Sequence, residues 1–466
     1  MRRKWMNNET KISRRSVLRG LAALSALPVL AACTAPVPAG APGAAPAQEV
    51  TTIEFITPGA LGLERTMYEN FVLKFMDENP SIKVNVSFEA WNDYMTKLPT
   101  LLAGGVIPDM IHQHMSIVQD YAYRGALSDL VPWMERDNVK SEDYIPALFD
   151  AFSHVGKTYG IPKDSAAWGV YYNKDMFDAA GLSYPADNWT LEDFHNNALA
   201  LTLDAEGRPA TDPNFDAGNI EQWGFTWWNE VTPTFTESAR GFVKAFGGDW
   251  YDEAYTQTLI TDQPVLDHFK MFADMRCTEN CIPTPAQALG QGSPFRSGLT
   301  AMTVDFHQNT FFSKQENVRF QYDVTFIPSG PGGQYSVVGC SGWAVPADAK
   351  FKEEGWELVK YLTSKPVQEY IGQQKRWGVS LREAVGTIEP DDGIPDHFAM
   401  VHTDPFKGET SVEVISFKFP PQQSRIREIY AEEFDPIFTC GGGDIATAAA
   451  NTKEQVDALL SELNWT

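Results

Sequence analysis

The chain has 466 residues, 61 of them Asp or Glu against 37 Lys or Arg, for a net charge of −24. Such an excess of acid excludes nucleic acid as a partner, because binding to its phosphates depends on Lys and Arg displacing counterions. It equally disfavours direct adhesion to anionic lipid.

The first readable pattern is a charged stretch, Met1-Arg2-Arg3-Lys4 and Ser13-Arg14-Arg15-Ser16-Val17-Leu18-Arg19, then an apolar run from Gly20 to Ala32 that stops at Cys33. This is the layout of an export signal, and the run is too short for the roughly 20 apolar residues of a spanning helix. Residues 13 to 19 resemble the twin-arginine signal, with Val17 and Arg19 in place of its Phe and Lys. Leu30-Ala31-Ala32-Cys33 resembles a bacterial lipobox, which implies cleavage after residue 32 and lipidation of Cys33; ordinary cleavage with Cys33 a bystander is the alternative. From Thr34 to Gln48, 12 of 15 residues are Ala, Pro or Gly. Such a stretch buries no core and reaches about 45 Å at about 3 Å per residue, suiting a tether over residues 33–49. Residues 1 to 32 hold seven Lys/Arg and one Glu, so the remaining 434 residues carry −30.

From Val50 the pattern alternates between periods. Thr52 to Thr57 is β-rich, Leu63 to Asn79 places Leu63, Met67, Phe71 and Phe75 on one helical face before Pro80, and Ile82, Val84, Val86 and Phe88 alternate as a strand. Trp91 to Ala103 reads as a helix ended by Gly104-Gly105, and Met110 to His112 opens another strand. Such alternation predicts an α/β layer with a largely parallel sheet, and the length predicts two lobes. Ile445, Ala449, Thr452, Val456, Leu459, Leu460 and Leu463 predict a terminal helix packed on a lobe. With Cys33 assigned to lipid, four cysteines remain, and disulfides are expected in an exported chain. Cys277 and Cys281 are the best local pair; Cys340 and Cys440 pair only if the fold joins them.

Several blocks, in order, resemble the extracellular solute-binding proteins that include the maltose- and other sugar-binding proteins of ABC importers. They are Lys97-Leu98-x-x-Leu101-Leu102-Ala103-Gly104-Gly105 with Pro108-Asp109; Gly125 to Leu130; Tyr159-Gly160-Ile161-Pro162 with Tyr171-Tyr172-Asn173-Lys174-Asp175-Met176-Phe177; Phe295 to Met302; and Gly339 to Pro346 with Glu354 to Leu362. The resemblance implies a two-lobe periplasmic-binding-protein-like α/β fold of type II. Its lobes would be 50–165 with 340–395 and 166–339 with 396–466, joined by crossings near Pro162 to Trp168, Gly339 to Val345 and residue 395. Hinge closure over a ligand follows. It further implies a monomer that captures a carbohydrate and delivers it to an ABC permease, with no cofactor, metal or catalysis.

A sugar presents hydroxyl edges and C–H faces, so its site needs aromatic rings beside fork-like polar groups. On that basis the candidates are Trp91, Trp227, Trp228, Trp343 and Trp377, with Asp164, Asp305, His307, Gln113, His114 and Arg382; for each Trp a place in the core competes, and for Asp164 a role as a cap. His112 and His114 share a strand face, yet no local Cys or carboxylate completes a metal site. A peptide, polyamine or anion ligand on the same fold is the first alternative. A secreted glycoside hydrolase needs only two carboxylates and is the second, although no G-x-S-x-G, H-E-x-x-H or Walker motif is present.

Overall fold

The computed structural model describes residues 50–59, 62–227, 236–288, 293–306, 318–374, 378–386 and 396–463, and residues 49–466 form one compact unit. The opening alternation folds as the periodicity predicts. Strand β1 (Thr51–Pro58) leads to the helix Gly62–Glu78, which buries Met67, Phe71 and Phe75. Strand β2 (Ile82–Glu89), the helix Trp91–Ala103 and strand β3 (Met110–His114) follow. A helix Met115–Tyr123 leaves β3 directly. Two short strands, β4 (Ser153–His154) and β5 (Lys157–Thr158), form a hairpin before β6 (Ile161–Pro162).

A second set comprises β7 (Ala166–Asn173), β8 (Leu203–Asp204), β9 (Ile220–Trp227), β10 (Thr300–Phe306), β11 (Tyr322–Thr325), β12 (Tyr335–Gly339), β13 (Ser341–Ala344) and β14 (Glu413–Ser416). The first sheet has the order β2-β1-β3-β13-β6, the second β14-β12-β7-β10-β9-β8, with β11 added on β7. The chain therefore passes between sheets at Lys163–Ser165 and again at Cys340. Leu381 and Ala384 pack with the first sheet's core, the Phe398 ring lies against His402, and the third crossing expected near residue 395 lies outside the described residues.

The sheets are mixed rather than largely parallel. Strands β1, β2 and β3 run parallel, as do β9 and β10, but β13 runs antiparallel to β3 and β7 antiparallel to β10 and β12. The cause is topological: a strand that enters from the other lobe starts at the edge where its parallel neighbours finish. One apolar cluster runs through both lobes, with Met115, Leu148 and Phe152 of the first meeting Cys340, Phe417 and Phe419. The terminal helix Ile445–Glu462 buries Ala448, Ala449, Thr452, Val456 and Leu460, as its stripe predicts.

The cysteine pairing differs from the local expectation. Cys277 is bonded to Cys440, with Cα atoms 5.4 Å apart and a sequence separation of 163. Cys277 ends the helix Gln263–Cys277 and Cys440 follows the helix Gln423–Phe438, so helix packing brings them together. Cys281 has already turned inward; it is fully buried, and its carbonyl accepts from the Phe225 amide. Cys340 is buried and free.

Candidate functional site

Strands β1, β2 and β3 of the first sheet and β9, β10 and β12 of the second all end near the passages between lobes, and open α/β sheets take ligands beyond such carboxyl ends. Trp91 begins the helix after β2, and 44% of its surface is exposed. Its ring meets those of His112 and His114 edge-on, at 5.8 and 5.5 Å between centroids. A large exposed ring braced in this way is a platform for an apolar ligand face.

His114 caps the helix Met115–Tyr123: its Nδ1 accepts from the Ser116 amide at 3.2 Å and lies 2.8 Å from Ser116 Oγ. Because the amide can only donate, the ring proton of neutral His114 sits on Nε2. Burial pushes its pKa down to about 4; Asp164 opposes that shift, while Arg427 and Lys163 add to it. At neutral pH His114 is thus an uncharged donor, within electrostatic reach of Arg427 on the helix Gln423–Phe438.

Asp164 lies at the first passage, but its carboxylate is already engaged. Oδ2 accepts from Lys163 Nζ at 2.6 Å and Oδ1 from the Ser341 amide at 2.7 Å, so the residue binds the β6–β7 passage to the start of β13. Lys163 also donates to Tyr68 Oη at 3.2 Å and lies 5.2 Å from the Trp343 ring. Burial opposes the Lys163 ammonium, yet Asp164, Tyr68 and Glu64 more than offset it, and its pKa stands above the usual lysine range. The sequence treats Asp164 as a candidate ligand acceptor; the structure gives it a structural partner on each oxygen.

Trp343 is likewise corrected. It points from β13 into the core of the first lobe, fully buried between Phe55 and Tyr68 at 5.3 and 5.4 Å. Gln113 alternates away from His112 and His114 and is fully buried, with no hydrogen bond to its side-chain amide among the described residues. Trp227 ends β9 but packs inward on Phe225, Phe242 and Phe272. Asp305, one residue from the end of β10, is buried and accepts from the Phe306 amide at 2.7 Å. Arg382 opens a short 3-10 turn, Arg382–Ala384, on the surface of the first lobe. Trp228, His307, Trp377 and Cys33 lie outside the described residues.

Two charged groups that the sequence does not single out stand at the same edge. Glu237 is the first residue of the helix Glu237–Phe246, whose cap is the Thr236 side chain. Its Oε2 lies 3.2 Å from where a Cβ on Gly339 would stand, with Met115 Sδ at 3.8 Å, so it overhangs the second passage. Burial pushes the Glu237 pKa up to about 7, with Arg427 opposing the shift. Arg427 is exposed on the helix Gln423–Phe438, its guanidinium 5.7 Å from the Phe419 ring. Neither residue forms a hydrogen bond or ion pair among the described residues. No group of three or more His, Cys, Asp or Glu with metal-site geometry occurs among them either.

The model of the bacterial extracellular solute-binding protein family matches residues 62–369. A Brucella abortus binding protein is 25% identical over 304 residues, which span 64% of this chain and 68% of that protein. The erythritol/L-threitol-binding protein of Mycolicibacterium smegmatis is 25% identical over 395 residues, covering 76% of this chain and 78% of its own length. Among solved structures, the ABC substrate-binding protein of Listeria monocytogenes in complex with cycloalternan superposes with a TM-score of 0.74 at 23% identity, over 89% of this chain and 100% of that one.

Proposed function

We propose a function for this chain from the premise that it belongs to the bacterial extracellular solute-binding proteins: it captures a neutral carbohydrate or polyol between its lobes and hands it to an ABC permease. The observation that supports this class of ligand is the exposed Trp91 ring beside the uncharged His114 donor, within electrostatic reach of Arg427 on the other lobe. A ring for C–H faces and separate polar groups for hydroxyls is what a sugar requires. The names of two similar proteins agree in kind, one with erythritol and threitol and one with cycloalternan, although at such identities neither ligand transfers directly.

On this reading the protein binds without catalysis and works as a monomer. The lobes are 50–165 with 340–395 and 166–339 with 396–466. It leaves the cytoplasm by a twin-arginine signal ending at residue 32 and is held to the membrane by lipid on Cys33, with 33–49 as tether. No helix of the described residues is long and apolar enough to cross a membrane.

A thermal-shift screen of residues 49–466 against sugars, polyols, peptides and polyamines tests the reading, since a ligand of the folded form raises the melting temperature by mass action. A selective rise with one sugar or polyol, recovered unchanged after incubation, is the expected result. A rise with peptides or polyamines alone would overturn the ligand class, and cleavage of an oligosaccharide would overturn the assignment as a binder.

A further inference from the structure

The Lys163–Asp164 pair is engaged with itself, Tyr68 and the Ser341 amide, and Asp305 is buried and accepts from the Phe306 amide. Glu237, by contrast, is a carboxylate without a hydrogen bond or ion pair among the described residues, placed against Gly339 where the chain passes between lobes. It is half-buried: enough surface remains open for a ligand to reach, while water has limited access. A carboxylate in such a place binds paired hydroxyls well, because it accepts from two donors and charge-assisted hydrogen bonds gain strength as water is excluded.

We propose that Glu237 is the residue that selects the ligand in the cleft, accepting hydrogen bonds from adjacent hydroxyls of a polyol whose other edge meets Arg427 and His114. This rests on the carbohydrate reading given above. The other titratable groups around Glu237 are Arg427 from the helix Gln423–Phe438, the Lys163–Asp164 pair and Cys340 from the passages, and His114 from the end of β3. Lys163 and Asp164 neutralise each other, burial holds the Cys340 thiol protonated and His114 is uncharged above about 4, which leaves Arg427 as the charge acting on Glu237 among the described residues. With the Glu237 pKa pushed up to about 7, ligand hydroxyls that donate to the ionised form pull its proton off. Affinity therefore rises with pH through neutrality and then levels.

The test is calorimetric titration of the best ligand from the panel, with wild type and Glu237→Gln, between about pH 5.5 and 8.5. Wild type is expected to bind more tightly as pH rises, and Glu237→Gln to bind about ten- to a hundred-fold more weakly at the upper end with a flat profile. Equal affinity and an equal profile for the two proteins would overturn the role of Glu237 and leave the carbohydrate reading intact. A polyamine or peptide that binds and loses affinity in Glu237→Gln would overturn the carbohydrate reading while keeping Glu237 as the selecting residue, with affinity for a ligand cation as its sign. A panel in which nothing binds wild type overturns both. Unfolding of Glu237→Gln by urea at each pH separates a folding defect from lost binding.

Discussion

At the residue scale, the passage between lobes is held by an ion pair whose side chains are only 2% and 4% exposed. Removing one partner of such a pair strands a buried charge, so Asp164→Ala should cost ~3–5 kcal/mol of stability in urea unfolding at neutral pH. Burial then acts on Lys163 unopposed, and part of the loss should return as the pH approaches about 10 and the amine gives up its proton. His112 makes the opposite case: it is buried among the rings of Trp91, Tyr94 and Trp343, neither nitrogen has a hydrogen bond among the described residues, and burial holds its pKa well below the usual value. The folded protein thus binds fewer protons at His112 and His114 than the unfolded chain does. Their contribution is present above about 6.5 and is lost as the pH falls toward 4, whereas that of Glu237 is lost as the pH rises through about 7. His112→Phe should stay within about 1.5 kcal/mol of wild type at neutral pH and lose less stability on acidification, read from melting temperatures across that range. Residue types alone single out Trp91 and His114 as candidates, because aromatic rings and histidines at strand ends are conspicuous. They do not single out Glu237 or Arg427, the groups proposed above, since one acid among 61 or one base among 37 carries no mark in the sequence of its burial or neighbours.

At the element scale, the early strands and helices were legible because each has a clean period and a stop: Pro80 closes one helix, and Gly104-Gly105 another. Pairings between distant elements were not. The spacing of Cys277 and Cys281 suggests a local bond, yet Cys277 finishes its helix beside the end of another that begins at Gln423. Closing a loop of that length removes unfolded-state entropy worth about 4 to 5 kcal/mol. Reductant should therefore lower the urea midpoint of wild type by a corresponding amount and leave Cys440→Ser, already destabilised, unchanged; an equal response of both would place the sensitivity elsewhere. A tighter constraint sits in β13, where a Cβ on Gly342 would lie 2.7 Å from the Phe152 ring and 2.8 Å from the Ile161 carbonyl. Gly342→Ala is expected to cost about 1–3 kcal/mol through overpacking, measured by the same unfolding assay.

At the scale of the whole molecule, the order of the blocks was the most legible feature, because five short patterns in sequence constrain a fold far more than any one does. The strand directions were hidden: nothing in the composition of Ser341–Ala344 says that it runs antiparallel between β3 and β6. The placement of β13 also bears on how the chain is made. During synthesis the first sheet has β1, β2 and β3 at an early stage, but the strand that joins β3 to β6 is not available until nearly three quarters of the chain has left the ribosome. Until then β3 presents an open edge, which is the kind of surface that recruits other chains. A nascent chain of this protein should consequently depend on holding chaperones for most of its elongation, and release fragments that stop short of Ser341 should aggregate where the full chain stays in solution.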